Sequence, residues 1–412
     1  MKQKLLELLK KTEKYTQTNM VYLAKGGSVL MANGIVGALT SLVTSIALSN
    51  LLPRETFGTY KYILSFITLL HLTTLPGMSV AVARSVARGY EGGVRAALRA
   101  MMQWGTVGSL IGLGISTYYF MQGDLRLGSA FVVGSLLIPF FRNFRVYQNF
   151  LQGKKAFGAS TRLQILVKIA ICIGFVALLL MTNNVVVLVA GFMLLNAVTQ
   201  YIAYRYTLRH YVENDKTEAS MIGYGKHLSL MRLLGSAAQE LDKLVIWHYL
   251  GPIQVAIYSI AYAPLNILGA PISQLGVLAL PKFSTNSKES LKKTLPKKVF
   301  MASMISLLVI LGYILLIPYA FRLIYPLYPE AIKITQILAL GYVFQLRALF
   351  SQALEAQQYI KELYVSRTAV HLLRILLYFI LGYYYGIWGI VATQIIADGF
   401  LYFAFWYILK KR

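Results

Sequence analysis

The sequence predicts an all-α polytopic membrane protein, with twelve transmembrane helices in two six-helix lobes that repeat in parallel. Three observations carry this. The mean hydropathy is +0.59, with 57% apolar and only 13% charged residues over 412 positions, about half the charge of a soluble domain. Twelve apolar runs are each long enough to cross a bilayer, which takes roughly 20 helical residues. Finally, the basic residues fall almost entirely in alternate loops.

The runs cover 28–50, 60–83, 101–121, 128–151, 163–182, 185–205, 228–250, 254–280, 299–319, 330–355, 367–384 and 387–409. The breaks between them are turn-like: LPRET, QGDLR, TNN, GP, YPLYPE and YG. Ahead of them, MKQKLLELLKKTEKY sets leucines among lysines, a pattern shared by an amphipathic surface helix and a frayed basic tail. The division expected is 1–27 as an amphipathic segment, 28–210 as the first lobe, 211–227 as a linker and 228–412 as the second lobe.

Of 40 Lys and Arg, 28 lie in the two tails and the loops on one side, against Arg54, Arg126 and Arg322 on the other. Basic loops stay in the cytoplasm, so both termini are expected there. The net charge of +25 therefore marks topology and not nucleic-acid binding. Cys172 stands alone, so no intrachain disulfide forms. No Walker A loop, HExxH or Cys/His cluster is present, and no cofactor or metal is expected. No outward loop is long enough to house the outer domain of a membrane polymerase or ligase.

An internal repeat relates Leu52–Tyr60 to Leu250–Tyr258 at an offset of 198 residues. Each copy follows one span and opens the next, and six spans per half keep the copies parallel. In transporters the interface between such repeats holds the substrate near the membrane midplane.

Nine basic residues lie within spans, among them Lys61, Arg142, Arg145, Arg232, Lys243, Arg347 and Arg374, against five acidic ones, Glu240, Asp242, Glu330, Glu355 and Asp398. Charge in the hydrocarbon is expensive and marks function or pairing. The excess points to a cationic cavity for an anionic substrate, with Arg suited to a diphosphate through its planar fork. Arg142, Arg145, Asn149 and Gln152 are spaced to share one helical face, as are Arg232, Gln239 and Lys243. Glu240 sits three residues before Lys243, close enough to neutralise it. Asp242 has no partner within reach on its own helix, which leaves ion coupling or lobe-to-lobe pairing. Asp398 is expected to pair with an Arg of span ten or eleven, and Glu240, Glu355 and Asp398 join Asp242 as coupling candidates. His371 is read as structural, and Lys61 as snorkelling to the interface or as bordering the expected cavity. Gly108 and Gly112 are read as a packing pair. Tyr258 and Tyr262 are placed to stack on sugars or simply to pack.

The stretches Leu48–Phe66, Asn149–Gly158, Glu240–Tyr262 and Ala279–Ser284, in this order and spacing, resemble polysaccharide flippases of the multidrug/oligosaccharidyl-lipid/polysaccharide exporter (MOP) superfamily, specifically the Wzx-type O-antigen or exopolysaccharide translocases. The resemblance spans residues 20 to 410. It implies a MATE/MOP-like V of two lobes with alternating access, not an enzyme, in the cytoplasmic (inner) membrane of a bacterium. It further implies an undecaprenyl-pyrophosphate-linked oligosaccharide as substrate, membrane lipids as surroundings, and a polysaccharide polymerase or chain-length regulator as partner, with no nucleic acid. A multidrug exporter of the same superfamily is the rival reading; cationic drugs want an acidic or aromatic cavity, and this one is basic.

Overall fold

A computed structural model describes residues 20–265, 283 and 288–411, with side chains from Ala32 onward. The amphipathic pattern of residues 1–19, Pro271 and most of the Ala279–Ser284 stretch lie outside the described residues. Among those described, the chain is helical throughout. Its helices are α1 (Met20–Leu51), α2 (Arg54–Leu70), α3 (Met78–Ala87), α4 (Gly93–Met121), α5 (Leu125–Leu137), α6 (Val146–Gly153), α7 (Phe157–Met181), α8 (Val185–Tyr211), α9 (Met221–Leu250), α10 (Pro252–Leu265), α11 (Lys288–Ile324), α12 (Ala331–Gly341), α13 (Arg347–Ala356) and α14 (Ile360–Lys411).

The polar breaks in the sequence become the turns. Asp124 caps α5 by accepting from the Leu127 amide at 2.9 Å. Asn184 caps α8 through the Val186 amide at 2.9 Å, filling donors that a helix start leaves open. Gly251, at φ 81°, ends α9 in a conformation costly for any residue with a Cβ, and Pro252 opens α10.

Among the described residues, six helices qualify as membrane spans by length and hydropathy alone, or seven if α2 and α3, bent by 46°, count as one. The order of elements accommodates twelve because several spans are broken. The second is α2 plus α3, the fourth α5 plus α6, and the tenth α12 plus α13. Leu75, left-handed at φ 59°, precedes Pro76, and the residue before a proline is driven out of helical geometry. α14 is a hairpin and not one rod: its chain reverses at Gly386, φ 57° and ψ −135°. A Cβ on Gly389 would lie 1.9 Å from the Leu381 carbonyl, although eight residues span ~12 Å in a straight helix.

The apolar core has a shape with consequences. One cluster joins both halves of the chain at the end bearing the α1–α2 and α9–α10 turns, where Tyr60, Tyr62 and Ile63 pack with Val245, Ile246, Tyr258, Tyr325 and Tyr328. At the opposite end, the basic face, the core divides. One part gathers Met78, Val82, Tyr147 and Met221; the other gathers Leu346, Phe350, Leu363 and Phe405. Among the described residues, the halves are thus fused at the far face and separate toward the basic face.

Helix α9 belongs to both parts. Near its start it lies on the first half, where Gly77 donates its amide to the Ser229 hydroxyl at 2.9 Å. At its far end Trp247 stacks on Tyr62 with ring centroids 4.2 Å apart, while along its length it packs on α14. Across the far face Arg54 of α2 pairs with Glu330 at 3.1 Å. The Tyr325 hydroxyl donates to Ser45 at 3.1 Å, and Phe57 meets Tyr328 edge to face.

The segment leading into α9 is strapped to the basic face of the first half. Lys154 lies 2.8 Å from both Glu91 and Glu213, and Glu91 accepts from the Glu213 amide at 2.7 Å. Gly92 donates to the Lys216 carbonyl at 2.9 Å, and Arg88 pairs with Glu218 at 2.9 Å. Burial alone would raise the Glu91 pKa, but the Glu213 amide and the Lys154 ammonium outweigh it and hold it below 4.5. A carboxylate depressed in the fold stabilises it above its unfolded pKa and loses that contribution as pH falls through the folded value. The strap is therefore expected to hold at neutral pH and to loosen only as pH falls below the ordinary glutamate range. In Glu91→Gln, proteolytic cleavage at 212–218 should be faster at pH 7 and change less on acidification, the Glu213 and Glu218 pairs remaining; a variant as resistant as the original at pH 7 refutes the assignment.

Candidate functional site

Two helix breaks set side by side build the centre of the first half. The 71–77 break carries His71, and the 138–145 break carries Asn143, whose side chains meet at 3.1 Å. Asn143 is buried and also donates to the Pro139 carbonyl at 2.9 Å, filling an acceptor that the interrupted helix leaves open. Gly105 and Gly108 let α4 come close: a Cβ on Gly105 would sit 3.0 Å from Pro139, and one on Gly108 2.8 Å from the Leu70 carbonyl. Gly112, the other member of the packing pair, lies against Ser135.

This break corrects the reading of span four as one helix with Arg142, Arg145, Asn149 and Gln152 on a face. Pro139 and the turn after it end that helix, and Arg142 occupies the elbow with a left-handed backbone, φ 62°. That conformation costs about 1–2 kcal/mol for an L-residue. The elbow sets the Arg142 guanidinium over the Phe141 ring, 4.8 Å from its centroid. Glu240 of α9 lies within electrostatic reach of it but outside ion-pair distance. Arg145 is exposed.

Across the interface, Lys61 of α2 is half-buried over Phe57 and sits in the field of Lys243 and Glu240. Lys243 bonds Glu240 at 3.1 Å and Asp242 at 3.5 Å. The local neutralisation allowed by the sequence is thus realised, and it extends to Asp242. The expectation that Asp242 lacks a local partner is corrected as well. Buried at 4% exposure, it accepts from the Tyr258 hydroxyl at 2.9 Å and faces the Gln394 amide at 3.5 Å. Tyr258 is also buried, at 1% exposure, and offers no ring face to a sugar.

A second cluster ties α13 to the two arms of α14. Asp398 lies 3.2 Å from Arg347 and is also hydrogen-bonded to the buried Arg374, with the Gln345 amide at 3.1 Å on its other oxygen. Arg347 and Arg374 are therefore not free cations, but two guanidiniums sharing one carboxylate leave a net positive charge.

Between α9 and the α13–α14 pair, where the core divides, opens a cavity of about 430 Å³. Arg232 and Gln239 line one wall and Glu355, Arg367 and His371 the other. Arg367 holds Glu355 at 2.6 Å. His371 fits because position 235 is glycine: a Cβ there would approach its Nε2 to 2.9 Å. Its Nδ1 has no partner among the described residues.

Among the described residues, Lys61, Arg142, Arg145 and Arg232 form no ion pair with a carboxylate. Of the residues outside those described, 266–287 contain no Asp or Glu, and 1–19 contain Glu7 and Glu13. The remaining predicted cations, Lys243, Arg347 and Arg374, are paired, as are all four coupling candidates. His371 is read from the sequence as structural, and nothing there brings it or Arg367 to face Arg232 across the cavity. Among the described residues no group of three His, Cys, Asp or Glu side chains has metal-binding geometry.

Two helical halves fused at one face and parted at the other, with unpaired cations between them, define an integral membrane protein of the MOP transporter fold. The chain belongs to the polysaccharide biosynthesis protein family, whose profile matches residues 23–287. Solved structures share the fold. The lipid II flippase MurJ in its inward closed conformation superposes with a TM-score of 0.70 at 15% identity, over 94% of this chain and 88% of that one. An inward-facing multidrug resistance MATE family transporter of the MOP superfamily gives 0.63 at 14% identity, over 93% and 98% of the two chains. A MOP superfamily transporter from Pyrococcus furiosus Vc1, described as having a binding pocket of reverse polarity, gives 0.62 at 16% identity, over 94% and 97%. These neighbours are transporters and flippases, not catalytic enzymes. No curated protein matches in sequence.

Proposed function

We propose that this protein flips a polyprenyl-diphosphate-linked oligosaccharide, of the undecaprenyl-pyrophosphate class, from the inner to the outer leaflet of a bacterial cytoplasmic membrane. The observation that carries the proposal is the set of cations without carboxylate partners, Arg142 and Lys61 at the interface and Arg232 in the cavity. Unpaired charge is costly in a water-poor interior, and a diphosphate is the anion that satisfies it. With the basic face cytoplasmic, as the positive-inside bias orients it, the cavity opens inward and the Arg54–Glu330 contact closes the outside. The headgroup enters between α9 and the α13–α14 pair and passes to Arg142, while the lipid tail stays in the bilayer.

Return to the inward state is assigned to ion coupling at Asp242, whose carboxylate touches both a tyrosine hydroxyl and a lysine. A polymerase or chain-length regulator would receive the product. Family membership in polysaccharide biosynthesis supports this reading over a multidrug exporter, and so does the sign of the cavity. The test is reconstitution into proteoliposomes with a defined undecaprenyl-diphosphate oligosaccharide, scored by lectin access at the outer leaflet. Protein-dependent exposure of the glycan supports the function; exposure no faster than in protein-free vesicles rules it out.

A further inference from the structure

On the face opposite the basic one, a cleft of about 500 Å³ lies apart from the central site and within the first half. Glu55, Thr56 and Thr59 of α2 form one wall, Arg126 and Ser129 of α5 the second, and Asn183 in the turn before α8 the third. The Thr59 hydroxyl is used locally, donating to the Glu55 carbonyl at 2.8 Å. The side chains of Glu55, Thr56, Arg126, Ser129 and Asn183 form no hydrogen bond or ion pair among the described residues. Five polar side chains from three separate turns thus converge on one concave site with their bonding capacity unspent.

Their chemistry selects the ligand. A carboxylate accepts, a guanidinium donates, and two hydroxyls and a carboxamide do both. A bare anion would be opposed by Glu55 and a cation by Arg126. An apolar group would leave all five unsatisfied, at a cost for each polar group desolvated without a partner. A molecule bearing many hydroxyls, each at once donor and acceptor, meets the whole set.

We infer that this cleft binds the glycan portion of the transported lipid on the face where it emerges, an assignment that rests on the translocation reading above. The cleft also adjoins the contact that closes that face. Arg54, one residue before Glu55, makes the inter-half pair with Glu330. A glycan held at Glu55 and Thr56 thus occupies the same helical turn as the closure.

The test uses the full chain in lipid nanodiscs and the water-soluble oligosaccharides freed by mild acid from the source cells' polyprenyl-diphosphate lipids. Saturation-transfer NMR should show glycan bound to the unmodified protein. Binding should weaken at least tenfold in Glu55→Gln/Asn183→Ala, and likewise in Ser129→Leu, which fills the cleft, while Arg322→Gln, at an exposed position of α11 that lines neither the cleft nor the cavity, binds within twofold of the original. Monodispersity and an unchanged melting temperature establish that the variants are folded. Absent binding, or binding kept in both cleft variants, overturns the assignment. Flipping by the unmodified protein, measured in the same preparation, separates the two ideas: flipping without cleft binding removes only the cleft, and cleft binding without flipping removes the translocation reading.

Discussion

Arg142→Gln protein is expected to reach the membrane at normal levels and to flip its lipid-linked glycan at least ~100-fold more slowly. A charge-assisted hydrogen bond contributes roughly 1.5–3 kcal/mol, and a guanidinium bonds a diphosphate through two at once. Losing about 3 kcal/mol of that interaction corresponds to ~100-fold, at 1.4 kcal/mol per tenfold. Folding should not suffer, because among the described residues Arg142 holds no carboxylate and lies over the Phe141 face. Relief of its left-handed φ is not expected either, since Gln at that elbow bears the same strain. Arg142→Lys separates fork from charge: it should keep charge attraction and lose bidentate geometry, falling between the two. Normal flipping by both variants in proteoliposomes would place the diphosphate elsewhere.

Asp398→Asn should behave in the opposite way, failing first in stability. Asp398 is 8% exposed and Arg374 6%, so neutralising the carboxylate leaves two guanidiniums facing each other in the interior. Removing one partner of a buried pair costs about 3–5 kcal/mol, enough to cut the amount of folded protein severely. Arg374→Met/Asp398→Leu, which removes the buried pair together, should recover most of the folded protein, since apolar replacements of buried ion pairs are often neutral. Thermal melting in detergent reads both. An Asp398→Asn protein as stable as the original would mean that the site normally carries a proton, and would move Asp398 from a structural role into coupling. Arg374→Ala is the milder case, because Arg347 remains at 3.2 Å to hold the carboxylate.

Much of this architecture is legible before any coordinates. Twelve apolar runs, turns closed by Asp124 and Asn184, and basic loops on alternate sides follow from local hydropathy, capping chemistry and charge, all properties of short stretches. The Glu240–Lys243 pair was equally legible, because i,i+3 spacing fixes proximity on a helix. The break in span four was only half visible: Pro139 is in the sequence, but how the chain leaves a proline depends on what it packs against. Here His71, Asn143 and the small Gly105 surface turn Arg142 toward α9 instead of along a helical face.

The sequence by itself determined the class of protein, its helices, their polarity and the excess of intramembrane cations. Only the tertiary structure decided which cations are free. Asp398 neutralises arginines that lie 24 and 51 positions away along the chain, and Asp242 finds Tyr258 and Gln394 on other helices. The physical reason is range. Helix formation and hydropathy are set by neighbours within a turn or two, whereas a charge inside a bundle is satisfied by whichever helix the fold brings against it. Among the described residues, the excess of positive charge within the spans therefore resolves into Lys61, Arg142, Arg145, Lys168, Arg232 and Lys333, none of which pairs with a carboxylate once the helices are packed.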